Sequence, residues 1–91
     1  MNIRILLPAA LRQISGGPAV LTVRAASVGE ALTMACDLHP PLRNALLAET
    51  GEIRGHVSVF VNSENIRSLH GLQTFVAEGD TLRIIPSIAG G

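Results

Sequence analysis

Lysine, tryptophan and tyrosine are missing from this 91-residue sequence, and cysteine occurs once. Without lysine, the N-terminal amine is the only amine the chain offers to an amide-forming modification. The two aromatics, Phe60 and Phe75, make no platform on which nucleic-acid bases could stack. Seven arginines face seven acidic residues for a formal net charge of +0, so no net field recruits nucleic acid or anionic lipid. Cys36 has no second cysteine to pair with, which excludes an internal disulfide and fits a reducing compartment. No apolar run approaches membrane-spanning length, and Met1-Asn2-Ile3-Arg4-Ile5 lacks the basic and apolar regions of a signal peptide. The expectation is a cytoplasmic protein with neither a nucleic-acid nor a membrane partner.

What is present is apolar and periodic. Hydrophobic residues make up 47% of the chain, enough for one self-sufficient core over residues 1–91. Ile3, Ile5 and Leu7 alternate with Asn2, Arg4 and Leu6, which predicts a strand ended by Pro8. Residues 9–14 have room for one or two helical turns, and Ser15-Gly16-Gly17-Pro18 reads as a turn into a second strand over 19–25. Ser27 and Glu30 have capping-box spacing, and Val28, Ala31, Leu32, Ala35 and Leu38 form the apolar stripe of a helix that His39-Pro40-Pro41 stops. Residues 42–49 suit another short helical piece. Val57-Ser58-Val59-Phe60-Val61 is the strongest strand signal, followed by a turn at 62–65 and an edge strand beginning at Ile66 and Arg67. Glu78-Gly79-Asp80 turns the chain into a last strand over 81–85.

This order predicts an α+β fold of the β-grasp, ubiquitin-like kind: a mostly antiparallel mixed sheet of 4–5 strands with one main helix packed on one face. The first and last strands then lie side by side at its centre. Alternation assigns Ile3, Ile5, Val57, Val59, Val61, Leu82 and Ile84 to the covered face, with Leu32 of the helix packed over them. It turns Leu6, Phe60 and Ile85 to the other face, where β-grasp order gathers them into a patch rimmed by Arg83 and Arg4. Grouped apolar residues of this kind suggest partner docking.

Nothing in the chain reads as a self-contained active site, so no intrinsic catalytic residue and no bound metal or cofactor is expected. His39, His56 and His70 fall in three separate segments without metal-ligand spacing. Cys36 sits beside the apolar stripe as a small packed side chain. Ser27 reads as a cap, and Gly16-Gly17 lacks the lysine and hydroxyl partners of a phosphate loop. Any chemistry is left to the ends. The final Ser87-Ile88-Ala89-Gly90-Gly91 is a narrow tail. Gly90 and Gly91 lack Cβ atoms and accept either sign of φ, as threading into a partner's channel requires.

Three stretches, "LPAALRQISGG", "VSVFVNSENIR" and "EGDTLRIIPSIAGG", together resemble the ThiS/MoaD family of ubiquitin-like sulfur carrier proteins, and the Ile-Ala-Gly-Gly ending looks most like CysO-type carriers. The resemblance implies that the Gly91 carboxylate is adenylated by an E1-like adenylyltransferase/sulfurtransferase, which uses ATP, and is then converted to a thiocarboxylate. Ala89 and Gly90 would form the tail, while Leu6, Phe60, Ile85 and Arg83 would dock the partner. Asn62 matches the asparagine that commonly follows the family's central strand, and Gly79-Asp80 matches the turn before its last one. Implied partners are a sulfur-accepting enzyme, such as a cysteine synthase or a molybdopterin synthase large subunit, and a metalloprotease that processes the C-terminal adduct. The first strand lacks the aromatics often seen in molybdopterin synthase small subunits. That assignment stays open as an alternative, as do a ubiquitin-like modifier and a non-covalent interaction module.

Overall fold

A computed structural model, describing residues 1–86, shows a five-stranded sheet in the order β2-β1-β5-β3-β4. The strands are β1 (Asn2–Leu6), β2 (Val20–Arg24), β3 (Val57–Val61), β4 (Glu64–Asn65) and β5 (Thr81–Pro86). Helices α1 (Ala9–Ser15), α2 (Val28–Leu38) and α3 (Pro41–Leu46) fill the connections. β1 pairs antiparallel with β2 and parallel with β5, and β5 pairs antiparallel with β3. This is the β-grasp arrangement, with helices covering one face of the sheet and α2 the longest of them.

Strand alternation sorts the two faces. Ile3, Ile5, Leu21, Val23, Val57, Val59, Val61, Leu82 and Ile84 are buried in one core with Leu11, Val28, Ala31, Leu32, Ala35, Leu42 and Leu46 from the helices. Helix α2 starts where its sequence says it should: Ser27 Oγ accepts the Glu30 N–H at 3.2 Å. Glu30 in turn accepts from the Ala26 N–H at 3.0 Å, one residue before the cap. The helix packs against β2, α3 and a 3-10 turn at Gly71–Gln73. Gly29 permits that approach, because a Cβ there would lie 3.1 Å from the Leu72 carbonyl oxygen. His39 closes α2, and Pro41 opens α3 at a first-turn position where a missing N–H costs nothing.

Two expected features differ. Leu38 does not continue the buried stripe: it is 57% exposed at the end of α2, and Cys36 is buried in the core. Leu38 is the last residue of α2, and the chain leaves helical geometry directly after it, at His39. The edge strand is Glu64–Asn65, not a strand beginning at Ile66; residues Ile66–Ser68 form a 3-10 turn that Asn65 caps through Oδ1, accepting the Arg67 N–H at 2.9 Å. Ile66 is thereby turned into the core. Among the described residues, no buried side-chain nitrogen or oxygen lacks a hydrogen-bond partner.

Leu32→Ala and Ile84→Ala should each destabilise the domain by about 2–5 kcal/mol, the range for emptying a packed site. For a chain with roughly 5–15 kcal/mol in total, that is a large share. Leu38→Ala should change stability by under about 0.5 kcal/mol. Thermal and denaturant melts of the three variants check the contrast. Similar losses for Leu38 and Leu32 would contradict the burial described here.

Candidate functional site

The start of β5 is clasped from both sides. Asn62, at φ 56°, turns the chain out of β3, and its Oδ1 accepts the Thr81 N–H at 3.2 Å while its Nδ2 donates to Asp80 Oδ1 at 3.2 Å. Asparagine is one of the few side chains that settles in the left-handed region. Asp80 Oδ2 accepts the Ala77 N–H at 2.8 Å, closing the turn in which Gly79 takes φ 83°. On the β1 side, the Gly79 N–H donates to the Asn2 carbonyl at 2.9 Å, and the Arg4 N–H donates to the Asp80 carbonyl at 3.1 Å. Glu78 adds two contacts, accepting the Asn2 backbone N–H at 2.9 Å and its Nδ2 at 3.1 Å. The backbone bond leads in holding the Glu78 carboxyl below its ordinary range.

That clasp sets the register of β5, and the register composes the uncovered face of the sheet. Arg83 pairs with Leu6 on one side and Phe60 on the other, and Leu6 pairs in turn with Val20. Val20, Leu6, Arg83 and Phe60 therefore form one row across four strands. Ile85, two residues on along β5, stands above it beside Ser58. Leu6 and Phe60 are half-buried, while Val20 and Ile85 are each 43% exposed. The structure thus brings Leu6, Phe60, Ile85 and Arg83 onto one face.

Arg83 is not at the rim of this group, as alternation alone suggested. It stands between Leu6 and Phe60, and Arg4 lies one row away, paired with Thr22 and Thr81. Alternation assigns a face to each residue but no register, and register is what centres Arg83. Shallow depressions flank the arginine, one lined by Arg4, Leu6, Asn62 and Thr81, the other by Leu6, Pro8 and Ile85. Val20 and Arg24 belong to the same face and were missed, although the alternation of Val20–Arg24 carries the same signal as β1. Ala89, Gly90 and Gly91 lie outside the described residues.

The remaining candidates are structural. Cys36 is buried, and burial pushes its thiol up, with a smaller opposing pull from Arg43 and a smaller push from Asp37. A thiol so placed stays protonated near neutral pH and is a poor nucleophile. Ser27 is the α2 cap. His39 lies against Gly17, at whose Cβ position its ring would be 2.5 Å away. Among the described residues no three His, Cys, Asp or Glu side chains group as a metal site, and no helix is long and apolar enough to cross a membrane. Phe75, the other aromatic, is 83% exposed on the segment after the Gly71–Gln73 turn, away from this face.

Known proteins share this sequence and architecture over nearly all of their length. The Sulfur carrier protein CysO of Mycobacterium tuberculosis is 28% identical over 93 residues, an alignment that covers all of both chains. A chain of the Amycolatopsis orientalis BexX/CysO complex superposes with a TM-score of 0.88 at 31% identity, covering 98% of this chain and 99% of that one. Small archaeal modifier protein 1 of Haloferax volcanii superposes with a TM-score of 0.83 at 28% identity, covering 96% of this chain and 98% of its own. The ThiS family model matches residues 5–91, and the chain belongs to the ThiS family.

Proposed function

We propose that this protein is a sulfur carrier, a cosubstrate whose Gly91 carboxylate is activated by an E1-like adenylating enzyme and converted to a thiocarboxylate. The observation that carries the reading is β5. Its outer residues Arg83 and Ile85 stand on the uncovered face, Arg83 between Leu6 and Phe60, and the sequence continues from this strand into Ser87-Ile88-Ala89-Gly90-Gly91. From Ile85, Gly91 can be no farther than about 22 Å, given at most roughly 3.6 Å per extended residue. A partner seated on the face therefore has the reactive end within reach of an adjacent active site.

The chemistry needs a partner because a C-terminal carboxylate, with a pKa of about 3.5, is ionised at neutral pH and a poor electrophile. The partner uses ATP to form an acyl adenylate at Gly91, with pyrophosphate leaving. A sulfur nucleophile at the oxidation level of sulfide then attacks the acyl carbon and AMP departs. Gly90 keeps the approach narrow, since a side chain there would crowd the channel. The CysO relatives support cysteine, or a related sulfur-containing metabolite, as the destination of the sulfur. The archaeal modifier relative favours a second reading, in which Gly91 is joined to an amine of a target protein. The chain itself, without lysine, offers no ε-amine for building polymers on its own surface.

Intact mass after incubation with the adenylating enzyme, ATP and a sulfur donor separates the two readings: exchange of one oxygen for sulfur against a protein-sized adduct. Deleting Gly91, extending the chain beyond it, or replacing Gly90 with tryptophan should abolish the exchange while leaving the melting curve unchanged. Thiocarboxylate formed on the truncated chain would end the proposal.

Phe60→Ser should leave most of the folding stability in place, because Phe60 belongs to the uncovered face. It should weaken binding to the adenylating enzyme by about 2 kcal/mol, the lower edge of hot-spot behaviour. Arg83→Ala should weaken binding to a similar degree, because Arg83 stands between Leu6 and Phe60. Calorimetric titration alongside thermal melts checks both. Unchanged affinity would remove the face from the mechanism, and a collapsed melt for Phe60→Ser would make it a core residue.

A further inference from the structure

The uncovered face carries a charge pattern that the apolar group does not explain. Arg24 on β2 pairs with Asn2, Arg4 on β1 pairs with Thr81, and Arg83 on β5 pairs with Leu6. Each arginine is therefore one strand over and two residues along from the one before. Together they make a diagonal across three adjacent strands, with neighbours about 7–8 Å apart. All three are exposed and alternate with buried residues, which fixes them on the same side of the sheet.

Among the described residues the three guanidinium groups make no hydrogen bond and no ion pair; the one ion pair there is Arg43–Asp37, at 3.4 Å on the helical side. The acids nearest the diagonal have other partners. Glu78 is held by the Asn2 backbone and side chain, with Arg24 a minor influence on its carboxyl. Asp80 is held by Ala77 and Asn62. The four other arginines, Arg12, Arg43, Arg54 and Arg67, lie outside the sheet, so these three cations, without a partner among the described residues, are gathered on this one face.

We propose that this diagonal, Arg24, Arg4 and Arg83, reads a row of carboxylates on a protein partner. Resting on the sulfur-carrier reading, that partner is the enzyme that adenylates Gly91. Arginine suits the task because its planar fork binds a carboxylate through two parallel bonds and is weakly hydrated. The residues around Arg83, at the end of the diagonal nearest β3, decide the class of partner. Val20, Leu6, Phe60 and Ile85 supply apolar contact that a protein surface can bury and a sugar-phosphate backbone cannot. The diagonal also gives orientation. It runs from the edge strand β2 toward β5 and the chain end, so an acidic row matched to it turns Gly91 toward one side of the partner only.

The test has two arms. In the first, the ¹⁵N-labelled full chain is titrated with decaglutamate and, separately, with an oligothymidylate of equal charge. The side-chain Nε–H signals of Arg4, Arg24 and Arg83 should move with decaglutamate, and those of Arg54 and Arg67 should stay. No movement, equal movement at all arginines, or tighter binding of the oligothymidylate would overturn the proposal. Concentration-dependent shifts without any probe would overturn it too, making a second copy the partner.

The second arm measures adenylation by the E1-like enzyme of the source organism. Arg24→Glu, and Arg24→Gln as a milder variant on the same exposed position, should raise the carrier KM. The rise should be about threefold to tenfold for the reversal at low salt and should shrink as salt screens the contact. An unchanged KM for both variants would overturn the diagonal while leaving the carrier reading intact. A wild-type chain that is never adenylated would instead defeat the carrier reading, and the peptide titration would still decide the diagonal.

Discussion

The structure depends on the parallel pairing of β1 with β5. These strands come from the two ends of the described chain, so their alignment must be imposed by contacts distant in sequence. Asn2 and Glu78, 76 residues apart, supply one such contact, and the Arg4 N–H on the Asp80 carbonyl another, while Asn62 on Asp80 holds the same turn from the β3 side. Closing so long a loop is entropically expensive, and a one-residue slip would send Leu82 and Ile84 out of the core. Buried apolar alternation and the polar clasp therefore specify the same register by independent means. Agreement of that kind is what separates one native pairing from its neighbours.

The pairing has a second consequence on the opposite face. Because β5 is central, its outward residues are flanked by β1 and β3 and cannot sit at a margin. Arg83 is accordingly held between Leu6 and Phe60. One strand thus anchors the core with Leu82 and Ile84 and turns Arg83 and Ile85 to the uncovered face. On the docking proposed above, folding and recognition are coupled through a single register.

Much of this was legible from residue order. Period-two alternation identifies β1, β3 and β5 and the face to which each of their residues belongs, and the Ser27–Glu30 spacing identifies the start of α2. The two long-range features were less accessible for a physical reason. Alternation along a strand says nothing about which residue lies opposite on the next, so Arg83 read as a rim residue and Arg24 was not read as part of the face at all. Local rules also misplaced residues where tertiary packing decides: Leu38 follows the helical stripe, but nothing covers it, and Ile66 reads as strand, yet a 3-10 turn capped by Asn65 carries it into the core. Ala89, Gly90 and Gly91 lie outside the described residues, so their assignment as the reactive tail rests on the resemblance and on the family match through residue 91.

The distribution of chemistry over the molecule follows from the same economy. A domain of this size has little interior to give to reactive groups, and here the interior is almost wholly aliphatic, with Cys36 kept as a protonated thiol and Thr74 the single buried polar residue among those described. On the sulfur-carrier reading, reactivity is placed where it asks nothing of the core, in the backbone carboxylate of Gly91. Such a group has no selectivity of its own, since every protein terminus resembles it. Selectivity must come from the folded surface that delivers it, and a sheet face with fixed register is better suited to that than a loop, because its side chains are spaced by backbone hydrogen bonds and not by their own contacts. On that reading the domain supplies the address and Gly91 supplies the atom, and β5 is the covalent link that keeps one from being presented without the other.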